Sequence, residues 1–433
     1  MLLRVQPAQR AFSGSYRPPG DKSVSHRAAI LAGLAEGETE IHGFLDSADT
    51  RATLNAMVAL GAQVAEADGV IQVGGGRLSG PDVDLDLGNS GTGMRLLCGA
   101  LAGRPELFGS SIRLIGDESL SLRPMARIID PLKLMGADIE SRDGQAPLTI
   151  HPRQLHGIRY ELPVASAQVK SALLLAGLVA EGATELIEPG ISRDHSERML
   201  PSFGVDLERH ELACRLSGGQ KLRGTVCRVP GDLSSAAFVL ASALLVPGSR
   251  VLLTGVGLNP TRDGVLRIVE TMGARVACER TTGELEEPAG DLTVAANQLQ
   301  GVDIAPQLVP LAIDEFPVVM ALAACARGTT RIRGAEELRV KESDRLAVMC
   351  RELARLGVRV KECQDGADVV GGRVRGGRVD SHGDHRIAMS LAVLALVADA
   401  PVEIENAEWI GTSYPGFVDD MRALGAEMEW LEG

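Results

Sequence analysis

Cationic side chains recur in Gly/Ser-rich turns along this chain: GDKSVSHR (20–27), GNSGTGMR (88–95), GDESLSLR (116–123), SRDHSER (192–198), RVKESDR (339–345) and HGDHR (382–386). Each turn reads as the start of a helix. The first backbone N–H groups of a helix lack partners and sit at the positive end of its dipole, so a Lys or Arg placed there makes an anion site. The ligands such sites suit are small and multiply charged. A net charge of −13 repels polyphosphate backbones and anionic bilayers, which argues against nucleic-acid and membrane partners. With only 3% aromatic residues, the chain also has little from which to build base-stacking platforms.

The individual motifs carry more detail. If a helix begins near Lys22, then Ser23 and Arg27 lie four apart on one face with Lys22 at the positive end. The alternative makes Ser23 or Asp21 a cap and Lys22 with Arg27 a solvated edge. Gly91 and Gly93 flank Thr92, so backbone N–H groups there can approach an anion closely, although an ordinary tight turn fits the same residues. Lys341 and Arg345 read as an i,i+4 pair on one helical face, where like charges repel unless an anion lies between them, and Glu342 adds an acid among three bases. Arg386 heads the apolar run IAMSLAVLALVA, with His385 expected to cap or orient. In IDEFP, Asp314 and Glu315 stand between two apolar runs. A carboxylate entering a buried element needs a partner, which a cationic cluster would supply; an exposed N-cap is the other reading.

Several chemistries find no support. There is no Ser-His-Asp order, HExxH or EF-hand loop, the seven cysteines form no CxxC pair, and the eight histidines do not cluster with them at metal-ligand spacing. No metal and no cofactor are expected. The odd cysteine number fits reduced, mostly buried thiols of a cytoplasmic protein. What remains is a set of Lys/Arg clamps with two or three carboxylates, suited to transfer between two anionic small molecules by general acid/base catalysis.

These residues must be positioned by something, and a repeat supplies it. An apolar helix end, a glycine and a strand recur six times, with the glycines at 61, 136, 204, 273, 357 and 425. Arg51, Arg123, Arg193, Arg262 and Arg345 stand shortly before five of these glycines. A second series of helix starts alternates with the first: DKSVSHR, NSGTGMR, SAQVKS, GDLSSAAF, IDEFPVVM and GDHRIAM. The spacing predicts six units of roughly seventy residues, each a small βαβ-type layer. YRPPGDKS (16–23) and VPGDLSS (229–235) both put Pro-Gly-Asp before a helix, which predicts two α/β domains of three repeats each. Their expected extents are 21–231, and 1–20 with 232–433, with a two-strand hinge near 20 and 231. At 433 residues and 45% hydrophobic content the chain can bury both cores. Residues 1–20 carry Arg4, Arg10 and Arg17 and no acid, faintly like a transit peptide, but the segment is short and runs straight into the first motif. The longest apolar runs fall short of the ~20 residues that span a bilayer.

The ordered set PGDKSVSHR, GNSGTGMR, GDESLSLRPM, ASAQVKSALLLAG, SRDHSERML, PGDLSSAAF, IDEFP, EELRVKESDRL, DHRIAMS and TSYPGF closely resembles the 5-enolpyruvylshikimate-3-phosphate (EPSP) synthase family over essentially the entire chain. SAQVKSALLLAGL, SRDHSE and TSYP resemble the second of its two sequence classes. The resemblance implies two domains of three βαβαββ units joined by two crossing strands, with the active site between them. It implies transfer of the enolpyruvyl group of phosphoenolpyruvate to the 5-hydroxyl of shikimate 3-phosphate. Shikimate 3-phosphate would be surrounded by Lys22, Ser23, Arg27, Ser166, Ala167, Gln168, Arg193, Asp314 and Lys341. Phosphoenolpyruvate would be held by Lys22, Gly91, Thr92, Arg123, Gln168, Arg345 and Arg386. Asp314 is implied as the base toward the 5-hydroxyl, and Glu342 or Lys22 as the proton donor to C3.

Two departures qualify the resemblance. Thr412 aligns with a Lys of the other class, so a cationic contact to phosphoenolpyruvate is missing here, and Glu337 aligns with an Asn. The glycine at 91 leaves the room that glyphosate needs in sensitive members, which implies sensitivity. The related transferase family that acts on a UDP-amino sugar begins with Lys-Asn and usually carries a reactive Cys; here the pair is Lys-Ser and the loop GDESLSLRP has none. A non-catalytic repeat scaffold for phosphorylated ligands is the remaining alternative, against which Asp314 and Glu342 speak. The expected form is a monomer.

Overall fold

The computed structural model describes residues 1–280 and 287–431. They divide into two compact units. A continuous unit holds Gly20–Pro230 together with Glu287, and a split unit holds Met1–Pro19 with the other described residues from Gly231 onward. Each unit has its own apolar core.

Small sheets dominate both units. In the continuous unit the first sheet runs in the order Val226–Arg228, Gly37–His42, Val70–Gly75, Gln63–Ala67. Its first pair is parallel and the rest antiparallel. The same order of pairing returns in the sheet built from Leu85–Asp86, Ile112–Ile115, Gln145–His151 and Asp138–Arg142. It returns again in Arg159–Glu161, Ala183–Ile187, Ala213–Ser217 and Leu207–His210. The split unit repeats it with Ser13–Tyr16 as the parallel edge beside Arg250–Gly257, followed by Ala289–Ala295 and Val276–Arg280. Its last sheet takes Leu2–Val5 between Val402–Glu405 and Met428–Leu431. The sheet Thr329–Ile332, Gly366–Val370, Arg359–Cys363 has three strands, with the parallel edge reduced to bridges at Gln300 and Asp303.

The two series of helix starts correspond to two kinds of helix. Leu233–Leu245 (LSSAAFVLASALL) is buried from Leu233 to Leu244, and Phe316–Cys325 and His385–Ala395 are enclosed in the same way. Lys22–Leu34, Gly91–Leu101 and Ala167–Gly177 are their counterparts in the continuous unit. A helix apolar on every side has to be enclosed, so its charged residues are confined to its first turns. That constraint puts Lys22, Arg27, Arg95, Lys170 and Arg386 where they are. Close approach of such helices needs small residues: a Cβ at Gly99 would lie 2.1 Å from the carbonyl oxygen of Ala172.

The other kind is amphipathic. Gly264–Thr271 buries Val265, Ile268 and Val269, and Phe417–Leu424 buries Phe417, Val418, Met421 and Leu424, one stripe at helical spacing. These helices end at the repeat glycines, whose φ angles are all positive, between 80° and 121°. Only glycine adopts that left-handed conformation without strain, and it turns the chain from helix to strand.

Two local expectations fail. In RVKESDR, Lys341 and Arg345 do not share a helical face. Glu336–Val340 is a short 3-10 turn that ends at an extended Lys341, and a new helix, Arg345–Arg355, starts with Asp344 accepting from the Ala347 N–H at 3.0 Å. The Asp side chain competes for backbone N–H groups and starts the helix late. In GDESLSLR the helix is only Glu118–Ser121, so Arg123 lies beyond its end rather than at its start.

Candidate active site

On the continuous unit, three buried helices present their first turns. Asp21 caps Lys22–Leu34 by accepting from the Val24 N–H at 2.9 Å. Lys22 Nζ lies 2.5 Å from Asp49. Arg27 is buried, donating through Nε to Ser196 Oγ at 2.9 Å, through a terminal nitrogen to Ser171 Oγ at 2.7 Å, and through the other to the Ser23 carbonyl at 2.9 Å. Burial pulls its pKa down to about 10, against the attraction of Glu197, Asp21 and Glu287. It stays a cation at neutral pH. Arg193 stands close enough to Arg27 to add repulsion.

The next helix, Gly91–Leu101, is capped by Ser90, which accepts from the Gly93 N–H at 3.0 Å. Thr92 Oγ1 accepts from Gln168 Nε2 at 2.9 Å, and Gln168 Oε1 accepts from Arg95 at 2.8 Å. Arg123 reaches back from its loop to Asn89, donating to Oδ1 at 2.5 Å and to the carbonyl at 3.3 Å. A Cβ at Gly91 would stand 3.0 Å from Arg95 and 3.2 Å from Arg123, so the glycine faces two guanidinium groups. Ser166, whose Oγ accepts from the Val169 N–H at 3.5 Å, and Ala167 start the helix that carries Gln168.

Beneath these residues lie groups that sequence reasoning passed over. Lys170 is 3% exposed and bridges Glu188 and Glu197, both at 2.6 Å. Burial alone would lower its pKa, but Glu197 and Glu188 outweigh it and hold the group above the ordinary lysine value. Lys170 thus ties the helix carrying Gln168 to the segment carrying Arg193 and Ser196. The signal was present as a charged residue within SAQVKSALLLAG, two positions after Gln168.

His26 is buried, with Nδ1 2.8 Å from Thr53 Oγ1 and Nε2 3.5 Å from the capping Ser90 Oγ. Burial, with Lys22 and Arg27 adding repulsion, holds its pKa well below the ordinary 6.5. The folded protein keeps His26 neutral while the unfolded chain protonates below that value. Stability is therefore complete above the unfolded pKa and is lost as pH falls toward the folded one, by up to about 1.4 kcal/mol per pH unit. Urea unfolding at about pH 7.5 and 5.5 should show this loss, and His26→Gln should remove that share. Identical pH dependence in the two proteins would refute it.

On the split unit, Arg345 is 1% exposed and is the hub. Its Nε lies 2.8 Å from Asp384, one terminal nitrogen 2.6 Å from Glu342, and the other 3.4 Å from Asp314. Burial works against this cation, but Asp384, Glu342 and Asp314 together raise its pKa above the ordinary arginine value. Lys341 Nζ lies 3.8 Å from the same Asp314 oxygen and 3.1 Å from Glu337. Lys341 and Arg345 therefore converge on a carboxylate despite belonging to different local elements. Arg386 donates to the Asp314 carbonyl at 3.1 Å. Asp384, fully buried, caps the helix of Arg386 by accepting from its N–H at 2.9 Å while holding Arg345. Thr412 donates to the Trp409 carbonyl at 2.8 Å and stands 3.5 Å from His385 Nδ1.

The repeat arginines do not share one role. Arg51 pairs with Asp46 and Glu66 at the surface, and Arg262 is buried against Ser234, Asp232 and Glu315. Only Arg123, Arg193 and Arg345 stand among the anion-binding candidates. Among the described residues, no group of three or more His, Cys, Asp or Glu could hold a metal ion, and no helix is long and apolar enough to cross a membrane.

A mixed α/β fold of repeated small sheets, with cations gathered at the starts of enclosed helices, defines a protein built to hold small, multiply charged anions. The family model of EPSP synthase (3-phosphoshikimate 1-carboxyvinyltransferase) matches residues 7–421. A 3-phosphoshikimate 1-carboxyvinyltransferase from Acidithiobacillus ferrooxidans is 54% identical over 417 residues, covering 95% of each chain. One from Coxiella burnetii is 48% identical over 440 residues, covering 100% of this chain and 99% of its own. The solved EPSP synthase of Acinetobacter baumannii aligns with a TM-score of 0.88 at 43% identity, over 99% of this chain and 100% of that one. The chain belongs to the EPSP synthase family.

Proposed function

We infer that the chain is an enzyme that transfers the enolpyruvyl group of phosphoenolpyruvate to the 5-hydroxyl of shikimate 3-phosphate, giving EPSP and inorganic phosphate. It serves the shikimate pathway to the aromatic amino acids. The observation that carries this reading is the family match across residues 7–421. Free cysteines at all seven positions support a cytoplasmic protein, which we take to be a monomer.

Residues drawn from both units serve the two substrates. Lys22, Ser23, Arg27, Ser166, Ala167, Gln168, Arg193, Asp314 and Lys341 bind shikimate 3-phosphate, and Lys22, Gly91, Thr92, Arg123, Gln168, Arg345 and Arg386 bind phosphoenolpyruvate. Planar guanidinium groups match carboxylate and phosphate oxygens two at a time, which suits the arginine-rich second set. In the first step the 5-hydroxyl oxygen bonds to C2 of phosphoenolpyruvate, its proton passes to Asp314, and C3 gains a proton from Glu342 or Lys22. In the second, the bond from C2 to the phosphate oxygen breaks, C3 loses a proton, and the enol ether leaves with phosphate. Cations fixed in advance around developing charge provide much of the acceleration.

The assignment across both units is tested by titrating shikimate 3-phosphate into Arg27→Met and Lys341→Met. Each should weaken binding by about tenfold or more, as expected for a charged hydrogen bond worth ~1.5–3 kcal/mol. Unchanged affinity in either variant would remove that residue from the binding set.

Gly91 makes a further prediction. Wild type should be inhibited by glyphosate in competition with phosphoenolpyruvate. A methyl group at 91 must push on the Arg95 and Arg123 guanidinium groups, both ends of flexible side chains. Gly91→Ala should therefore raise the glyphosate inhibition constant by about tenfold or more, and the phosphoenolpyruvate KM by less. A wild type showing no competition at millimolar inhibitor, or a variant with both constants unchanged, would contradict it.

A further inference from the structure

We propose that Glu315 is a positioning residue for this reaction: its buried carboxylate fixes the turn that presents Asp314 and keeps the Arg386 guanidinium in place. The proposal rests on the reading of Asp314 as base and Arg386 as a phosphoenolpyruvate ligand.

Asp314 and Glu315 are consecutive yet lead to different surroundings. The Asp314 side chain is 16% exposed and lies against Arg345 and Lys341, whereas that of Glu315 is 1% exposed. Glu315 occupies the N-cap position of Phe316–Cys325 but makes no capping bond with its side chain. Its Oε1 instead accepts from Ser234 Oγ, and the same serine oxygen accepts from Arg262 at 2.6 Å. Asp232, the cap of Leu233–Leu245, lies 3.5 Å from that arginine and accepts from the Ser234 N–H at 2.8 Å. The starts of two enclosed helices are thereby tied together through one serine.

Charge gives the arrangement its consequence for the site. Arg262 and Arg386 approach the same Glu315 oxygen, at 3.5 and 4.0 Å. That carboxylate lies near two cations that are buried or nearly so and would otherwise repel at low dielectric. Arg386 keeps its bond to the Asp314 carbonyl, 3.1 Å away, because the neighbouring negative charge offsets Arg262. Without the charge, Arg386 is driven from the carbonyl of the residue that acts as base, and phosphoenolpyruvate binding suffers first.

Glu315→Gln keeps the shape and an acceptor for Ser234 while removing the charge. The expected result is a phosphoenolpyruvate KM raised by about tenfold and a kcat lowered by a similar factor, with shikimate 3-phosphate affinity within about twofold of wild type. Glu315→Gln with Arg262→Gln, which removes both charges, should recover most of the KM. A merely structural role would lower the unfolding temperature without singling out one substrate. If Glu315→Gln does not fold, Ser234→Ala is read in the same way, with a KM for phosphoenolpyruvate raised about threefold. A folded variant with wild-type KM and kcat, or with both substrates weakened equally, overturns the inference and leaves the function intact. Wild type that fails to release phosphate from the two substrates overturns the function, and this inference with it.

Discussion

Asp314→Asn is expected to lower kcat by about 10²–10⁴-fold, the usual contribution of a positioned general base. Asparagine keeps the shape of the side chain but cannot take the proton from the 5-hydroxyl. Binding should change little, because Arg345 retains Asp384 at 2.8 Å and Glu342 at 2.6 Å, and Arg386 bonds to the Asp314 backbone rather than to its carboxylate. Shikimate 3-phosphate affinity should stay within about threefold of wild type, so the loss appears in turnover. Stopped-time product assays at saturating substrates, beside a titration of shikimate 3-phosphate, separate the two. An unchanged turnover number would remove Asp314 from the role of base.

Arg345→Gln should act on stability as well as on activity. The three nitrogens of this guanidinium serve three different carboxylates, and Asp384 among them is fully buried. Taking the cation away strands buried negative charge, a change that costs about 3–5 kcal/mol. Denaturant unfolding should show the free energy of unfolding lowered by that amount, and Arg345→Lys should recover only part of it, since one ammonium cannot occupy three directions. Arg345→Met combined with Asp384→Asn should be more stable than Arg345→Gln, because both members of the innermost pair are then neutral. Equal unfolding midpoints for wild type and Arg345→Gln would show that the cluster carries no such charge dependence.

The sequence made some of this visible and hid the rest for physical reasons. A helix apolar on all sides and a glycine after an amphipathic one leave long, periodic traces, so both helix series could be placed from the recurring sequence pattern. Lys22, Gly91 and Arg386 stood out because they interrupt or begin such runs. Short-range competition was harder to see. The capping of a new helix by Asp344 broke the assumed pairing of Lys341 with Arg345, and only tertiary structure brings both to Asp314. Lys170, Asp49 and Asp384 escaped notice for a related reason. Each acts on a residue distant in sequence, and a buried charge announces its partner only once the chain is folded. Arg51 and Arg262 show the converse, since a similar place before a repeat glycine did not confer an equal role.

The most direct measurement is phosphate release from phosphoenolpyruvate with shikimate 3-phosphate as acceptor, set against UDP-N-acetylglucosamine. Rapid release that requires shikimate 3-phosphate and leaves an enol ether on its 5-oxygen is the predicted result. Release that ignores the acceptor, or that proceeds equally with the sugar nucleotide, would contradict the account.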